Sequence, residues 1–180
     1  MISYILACIV GIAVIGADQF SKHIIVSKFA VGDGGKFIPK LIDILYVEND
    51  GGAWGMLSGY TWLLVSLTIV IMLVCVALLL KYGLKNKIMF WAIILVLSGG
   101  LGNMIDRIFK GGKVVDFLHF TFWKDLFRHD FPVFNVADCA IVIGAGLLIV
   151  YFIDGMIKES RRKKVNAAKL AEQINGNEGN

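Results

Sequence analysis

Residues 88–107 read IMFWAIILVLSGGLGNMIDR, an apolar run that ends in a polar and charged cluster. No charged residue occurs from Ile88 to Ile105, and a helix needs about 20 mainly apolar residues to cross the hydrocarbon core of a bilayer. The stretch is therefore predicted to span a membrane and to bring its polar end to one bilayer surface. Charged residues at that depth are costly and by default mark a functional site.

The rest of the chain extends this pattern. Its 180 residues are 57% hydrophobic and have a mean hydropathy of +0.73, which is too apolar for an ordinary soluble domain. Three more apolar stretches can form helices, so the predicted spans are about 2–22, 61–80, 88–107 and 136–155. The first is not interpreted as a cleavable secretory signal, because no Lys or Arg precedes it. The predicted fold class is mainly α, an integral-membrane four-transmembrane-helix bundle in one domain, residues 1–157.

Charge density predicts the orientation of the chain. Four spans put both termini on one side of the membrane, together with the short turn 81–87. Basic residues are dense in this turn and at 158–164, whereas two long connections, about 29–60 and 108–135, face the other side. The positive-inside rule then places both termini in the cytoplasm and the two long connections outside.

Residues 158–180 are predicted to form a cytoplasmic tail that is basic at first and then polar. The basic run is interpreted as an anchor beside anionic lipid, in preference to a nucleic-acid site. From about Asn166 onward the tail has no apolar face to bury, which predicts a frayed or disordered end.

The two outer connections differ in character. In the first, Gly-rich breaks flank residues 36–47, whose β-branched, aromatic and alternating residues predict one or two short strands above the bilayer. The second is dense in aromatic residues, which are typical of the membrane interface.

Five polar clusters near the ends of the spans map to this outer face. They are DQFSK at Asp18–Lys22, NDGGAWG at Asn49–Gly55, GGLGNMIDR at Gly99–Arg107, VVDF at Val114–Phe117 and FNVAD at Phe134–Asp138. Topology alone brings these distant segments into one layer, which predicts a functional site there.

Several of these residues also have structural interpretations. Asp18 and Lys22 have i, i+4 spacing, so an ion pair on the helix surface that closes the first span is an equal alternative to a role in catalysis. Asp106 stands beside Arg107, and a structural ion pair at that helix end is favoured over a catalytic role.

The two remaining aspartates differ in how well a structural role explains them. Asn135 and Asp138 have the spacing of a capping box, and taken alone Asp138 is best explained as part of a helix cap. Asp116 sits between Val115 and Phe117 without an adjacent cation, and burial there should raise its pKa. If the two carboxyls meet, repulsion leaves one protonated and one ionised, which is the division that an aspartic peptidase requires.

Other chemistries find little support in the sequence. No HExxH motif occurs, and His23, His119 and His129 are scattered, which disfavours a zinc site. No GxSxG elbow and no P-loop occurs either. Carboxylates within a membrane can also relay protons, so a small proton-coupled transporter is the alternative function. A scaffold whose polar clusters only cap and pair helices is another.

In their order along the chain, the five clusters resemble the lipoprotein signal peptidase family, also called signal peptidase II, over almost the whole sequence. The resemblance implies a small extracytoplasmic β-cradle and a short amphipathic helix on the membrane beside the four spans. It implies that Asp116 and Asp138 are the catalytic aspartates. The residues implied to bind substrate or support the site are Asp18, Lys22, Asn49, Gly51, Ala53, Asn103, Asp106, Arg107 and Asn135. Trp54 departs from the family, in which Phe is commoner at that place.

The resemblance also implies a reaction and its setting. The expected enzyme is an aspartic endopeptidase that cleaves diacylglyceryl-modified prolipoproteins before the lipidated cysteine, with water as the nucleophile and without a metal or cofactor. Its expected partners are prolipoproteins and membrane lipids, and no nucleic acid. It is expected to act as a monomer in the bacterial cytoplasmic (inner) membrane, with its active site at the outer face. Inhibition by globomycin, a cyclic peptide that occupies the substrate groove, is implied as well.

Overall fold

The computed structural model describes residues 2–51, 59–82 and 85–177, and describes the side chains of these residues except at 125 and 167–177. Ala53 and Trp54, two positions of interest in the second polar cluster, lie outside the described residues. The helices and strands in chain order are α1 (Ile2–Lys28), β1 (Gly34–Ile38), β2 (Ile42–Asn49), α2 (Thr61–Tyr82), α3 (Lys87–Phe109), β3 (Val114–Phe120), α4 (Thr121–Phe127) and α5 (Val136–Asn177).

Among the described residues, four helices are long and apolar enough to cross a membrane: Ile2–Lys28, Thr61–Tyr82, Lys87–Phe109 and Val136–Asn166. The predicted four-helix membrane fold is therefore confirmed. The helix α1 continues past its predicted end at residue 22 to Lys28. The charged residues Asp18 and Lys22 near its C-terminal end are buried and paired within the protein.

The helix α5 is longer than expected, because its 42 residues reach Asn177. The predicted frayed end from about Asn166 onward is therefore wrong up to Asn177. Two ion pairs between residues one helical turn apart stabilise the exposed part of the helix. Lys158 Nζ lies 2.6 Å from Asp154 Oδ2, and Lys163 Nζ lies 2.8 Å from Glu159 Oε1. The sequence that follows, AAKLAEQ, consists of strong helix formers, and their intrinsic propensity outweighs the absence of an apolar face.

Three antiparallel strands form one small sheet in the order β1–β2–β3. The strands expected within residues 36–47 are present as β1 and β2. The third strand was missed by the residue pattern, because its VVDFLHF sequence lies in a connection interpreted only as interfacial. Its register pairs Asp116 with Val47 of β2. The short helix implied by the resemblance corresponds to α4, and its position on the membrane stays a prediction.

The sheet rests on the C-terminal end of α1. Ile25 of α1 packs with Tyr46 of β2 and with Val115 and Phe117 of β3, and all four side chains are buried. Asp116 lies between the last two on the strand, so this packing fixes its height above the helix bundle.

Close packing of α3 against α5 depends on glycine. A Cβ atom at Gly99 would lie 2.4 Å from the carbonyl oxygen of Ala137, and one at Gly144 would lie 2.7 Å from the carbonyl oxygen of Ala92. Real Cβ atoms do not come so near to backbone oxygen, so both positions need glycine. Ala140 and Gly144 are small residues four apart in the sequence, a spacing that favours close helix packing, and the contact at Gly144 agrees with it.

Replacement of Gly144 by Ala should lower the free energy of unfolding by about 1–3 kcal/mol, because the added methyl group forces α3 and α5 apart. Gly146 on the same helix is the matched control, since a Cβ atom there meets nothing within 4 Å. Thermal unfolding in detergent micelles measures both. Equal melting temperatures for Gly144→Ala and Gly146→Ala would contradict the packing argument.

Candidate active site

A cavity of about 540 Å³ opens where the sheet meets the C-terminal end of α3 and the N-terminal end of α5. Its polar lining consists of Asn49, Asn103, Arg107, Asp116 and Asp138. Its apolar lining consists of Val114, Phe120, Phe131, Pro132, Val133, Phe134, Cys139, Ile141, Val142 and Ile143. Four of the five predicted polar clusters thus contribute to one cavity, as the topology argument predicted.

Asp116 enters the cavity from β3 and is only 2% exposed. Its carboxyl oxygens accept hydrogen bonds from two amides: Asn49 Nδ2 at 2.8 Å and Asn135 Nδ2 at 2.6 Å. Burial, followed by repulsion from Asp138, raises the pKa of Asp116 to about 7. This raised pKa confirms the prediction made from its apolar sequence neighbours.

Asp138 lies in the first turn of α5, and the predicted capping box is present. The backbone N–H of Asp138 donates to Asn135 Oδ1 at 2.9 Å, and the backbone N–H of Asn135 donates to Asp138 Oδ2 at 3.1 Å. The other carboxyl oxygen accepts a hydrogen bond from Asn103 Nδ2 at 2.7 Å. Asp138 therefore caps the helix with one oxygen while its carboxyl group lines the cavity.

Asn135 connects the two carboxyl groups. Its side-chain amide donates to Asp116, and its backbone amide donates to Asp138. The residue is completely buried, so these contacts are shielded from competing water. A single asparagine thus holds a strand carboxyl and a helix carboxyl beside each other.

Asp18 and Lys22 do form the ion pair, but inside the protein. Lys22 Nζ lies 2.8 Å from Asp18 Oδ2 and 2.9 Å from Asp106 Oδ2, and all three side chains are completely buried. Asp106 also pairs with Lys110 Nζ at 2.8 Å. Its structural role is as expected, but the expected partner is wrong: Asp106 pairs with Lys22 and Lys110, not with its neighbour Arg107. The backbone explains the difference, because adjacent residues on a helix point in different directions and residues four apart share a face.

Arg107 and the Asn49 turn complete the polar lining. Arg107 lines the cavity, and within the described part of the chain its buried Nε has no hydrogen-bond partner. This leaves Nε available to a ligand. Buried Gly51 donates its backbone N–H to Asn49 Oδ1 at 2.9 Å, which turns the Asn49 NH₂ group toward Asp116. Ala53, the other predicted residue of this segment, lies outside the described residues.

Residues that could hold a metal ion do not gather here. Across residues 2–51, 59–82 and 85–177, no three His, Cys, Asp or Glu side chains form a group suited to a cation. Asp116 and Asp138 instead face amide and guanidinium donors, which supply no lone pair to a metal.

Some contributors to the site were missed in the sequence. Lys110 could have been found, because it stands four residues after Asp106, directly after the last residue of α3. Gln19, which donates to the Gly102 carbonyl oxygen at 3.0 Å and to Asp18 Oδ2 at 3.1 Å, has no such local signal. The apolar residues of α5 that line the cavity, Ile141, Val142 and Ile143, were missed as well. In the sequence they cannot be distinguished from apolar residues that face the membrane lipid.

Comparisons with known proteins agree on one family. The family model described as Signal peptidase (SPase) II matches residues 10–154. A lipoprotein signal peptidase of Staphylococcus haemolyticus (strain JCSC1435) is 38% identical over 159 residues, which cover 88% of this chain and 95% of that protein. One from Staphylococcus aureus (strain JH9) is 36% identical over 161 residues, covering 89% and 93%.

Two solved structures of bacterial membrane enzymes are similar to this chain in fold and sequence. A bacterial membrane enzyme determined at 2.3 Å resolution by the in meso method matches with a TM-score of 0.76 and 35% identity, over 84% of this chain and 89% of that one. A second bacterial membrane enzyme, determined at 1.9 Å, matches with a TM-score of 0.70 and 36% identity, over 82% and 92%.

The raised pKa of Asp116 predicts how stability depends on pH. A carboxyl whose pKa rises on folding to about 7 binds its proton more tightly in the folded state. Its contribution to stability is complete below the unfolded pKa of about 3.9 and is lost as pH rises through about 7. The melting temperature should therefore fall between pH 4 and pH 7, and Asp116→Asn should flatten that decline. An Asp154→Asn control, in the exposed pair with Lys158, should retain the wild-type slope; equal slopes in wild type and Asp116→Asn would contradict the prediction.

Proposed function

Because the chain belongs to the signal peptidase II family, we propose that it removes signal peptides from diacylglyceryl-modified prolipoproteins as an aspartic endopeptidase that cleaves before the lipidated cysteine. One observation carries the aspartic mechanism. Asp116 and Asp138 line the same cavity, and Asn135 hydrogen-bonds to both of their carboxyl groups. A pair of carboxyls in one shielded site is the arrangement in which one ionises and one keeps its proton.

The proposed reaction uses the pair as base and acid. The ionised carboxyl takes a proton from water while the water oxygen bonds to the scissile carbonyl carbon, and the protonated carboxyl gives its proton to the carbonyl oxygen. The resulting tetrahedral diol then collapses. The first carboxyl returns its proton to the leaving amine as the C–N bond breaks, and the second regains a proton from a hydroxyl as the C=O bond re-forms. Each carboxyl group thus returns to the protonation state in which it began.

The apolar walls of the cavity favour a substrate that carries a lipid. Val142 and Ile143 line it from α5 and are 70% and 56% exposed, so on a membrane-spanning helix they face both the cavity and the lipid. Acyl chains could stay in the lipid beside them while the peptide reaches Asp116. Arg107, with its unpaired Nε, supplies a donor for a carbonyl oxygen of the substrate. Globomycin is itself a cyclic peptide, and it is proposed to occupy the same cavity.

The proposed setting is the bacterial cytoplasmic (inner) membrane, with the active site at its outer face and both termini in the cytoplasm. Two features support this orientation. The sheet and the cavity lie at one end of the bundle, and the basic part of α5 continues from the other end. The enzyme is proposed to act as a monomer, since one chain supplies both carboxyls and all their described hydrogen-bond partners.

Cleavage of a lipidated precursor by the purified protein in lipid bilayers tests the proposal. Asp116→Asn and Asp138→Asn should each reduce the rate at least about 100-fold, because each removes one half of the acid and base pair. Asp154→Asn, which changes a residue 16 positions after Asp138 on α5, should cleave at the wild-type rate, and an unlipidated precursor should stay intact. The proposal fails if the wild type leaves the lipidated precursor uncleaved, or if both dyad variants cleave it normally.

The orientation can be checked with trypsin, since residues 158–164 are exposed and contain five Lys and Arg. Trypsin should remove a C-terminal epitope in inverted membrane vesicles and leave it in place in intact spheroplasts. Removal of the epitope in spheroplasts would place the termini outside and contradict the proposed orientation.

A further inference from the structure

The ammonium group of Lys22 has three partners, and the third is not a carboxylate. Besides the ion pairs with Asp18 and Asp106, Lys22 Nζ donates to Asn103 Oδ1 at 3.0 Å. An ammonium group has three N–H donors and no acceptor, so all three donors are used. The side chain is completely buried, which leaves no water to take over any of them.

This contact dictates which way the amide of Asn103 points. Only its oxygen can face Lys22, because the NH₂ group would meet another donor there. The same oxygen accepts a second hydrogen bond from Asn135 Nδ2 at 3.0 Å. The NH₂ group must then face the other way, where it donates to Asp138 Oδ1 at 2.7 Å. The bond from the charged Lys22 is the stronger of the two bonds that hold the oxygen.

We propose that Lys22 is a positioning residue that locks the Asn103 amide with its N–H toward Asp138, and so makes Asp138 the ionised general base and Asp116 the protonated acid. This assignment rests on the aspartic peptidase function proposed above. An N–H donor stabilises the charged form of a carboxyl, whereas an amide oxygen in the same place would require a protonated Asp138.

The backbone adds to this assignment. Asp138 lies in the first turn of α5, where the helix dipole also favours an anion. Asp116 lies on a strand, which has no comparable dipole. Two amide N–H groups, from Asn49 and Asn135, also donate to Asp116, but burial and repulsion from Asp138 outweigh them, and the pKa of Asp116 is raised to about 7.

Other charges around Asp138 do not replace this contact. Its surroundings include Arg107 on α3, Asp116 on β3, and Asp18 with Lys22 on α1, while Cys139 follows it on α5. Lys22 and Lys110 balance Asp18 and Asp106, so the buried cluster has no net charge. Lys22 therefore acts on Asp138 mainly through the direction of the Asn103 amide.

Two double variants separate this role from a purely structural one. Lys22→Met with Asp106→Asn removes the ammonium and one carboxylate, and the cluster stays neutral. Lys110→Met with Asp106→Asn is the matched control, because it removes the same number of charges and keeps the contact between Lys22 and Asn103. The measurement is the pH dependence of kcat/KM for a lipidated precursor.

The acidic limb of the profile is the pH range over which kcat/KM rises as the general base loses its proton. In the Lys22 double variant this limb should move to higher pH by about one unit, and kcat/KM should recover toward the control value above the shifted limb. The control should keep the wild-type limb. If the Lys22 double variant does not fold, as judged by thermal unfolding, Lys22→Met with Asp18→Asn gives the same test against Lys110→Met with Asp18→Asn.

An unmoved acidic limb in the folded Lys22 variant would overturn the proposal. Equal shifts in the Lys22 and Lys110 variants would also overturn it, because the effect would then come from the charge cluster as a whole. Failure of the peptidase function is a separate result, since it would appear as an uncleaved precursor in the wild type or as normal cleavage by the Asp116→Asn and Asp138→Asn variants.

Discussion

The buried ammonium of Lys22 is the interaction on which the rest of the structure depends. Its two carboxylate partners each hold a further element: Asp18 accepts the backbone N–H of Ala137 at 2.9 Å, and Asp106 accepts that of Val115 at 3.1 Å. One cation thus ties α1 and α3 to the start of α5 and to β3, the two elements that carry the candidate catalytic carboxyls. Removal of one member of a buried pair leaves an uncompensated charge and typically costs about 3–5 kcal/mol. The cluster therefore sets both the stability of the end of the bundle that carries the sheet and the position of the candidate site.

This cluster constrains the packing of the helices around it. A Cβ atom at Gly102 would lie 2.7 Å from Asp18 Oδ2 and 3.1 Å from Ala137 Cβ, so only glycine lets the carboxylate reach the helix start. Gly99, one turn earlier on α3, allows the backbone of α5 to approach. The GGLG sequence in the third span thus serves two needs at once. It brings two helices together, and it leaves room between them for a charged group that must not meet lipid.

The sequence predicts those features that depend on local periodicity. The four spans, the layer of polar clusters, the capping box of Asn135 and Asp138, and the raised pKa of Asp116 all follow from neighbours along the chain. The partners of Lys22 show the limit of this reasoning. Its i, i+4 spacing reveals Asp18, but Asp106 belongs to another helix, and only the packing of α1 on α3 brings them together. Strand β3 was missed for a related reason, because its partner strand β2 is distant in sequence.

Capping and catalysis are not competing explanations for Asp138. The capping box fixes the carboxyl at the helix start, and the helix dipole there favours its charge, while its other oxygen takes the N–H of Asn103. Asp116 sits on a buried strand with no dipole to favour an anion, and its pKa is raised to about 7. Two chemically identical side chains therefore differ because one begins a helix and the other lies within a sheet. The asymmetry that the proposed acid and base pair needs follows from secondary structure, and Asn135 is hydrogen-bonded to both carboxyl groups.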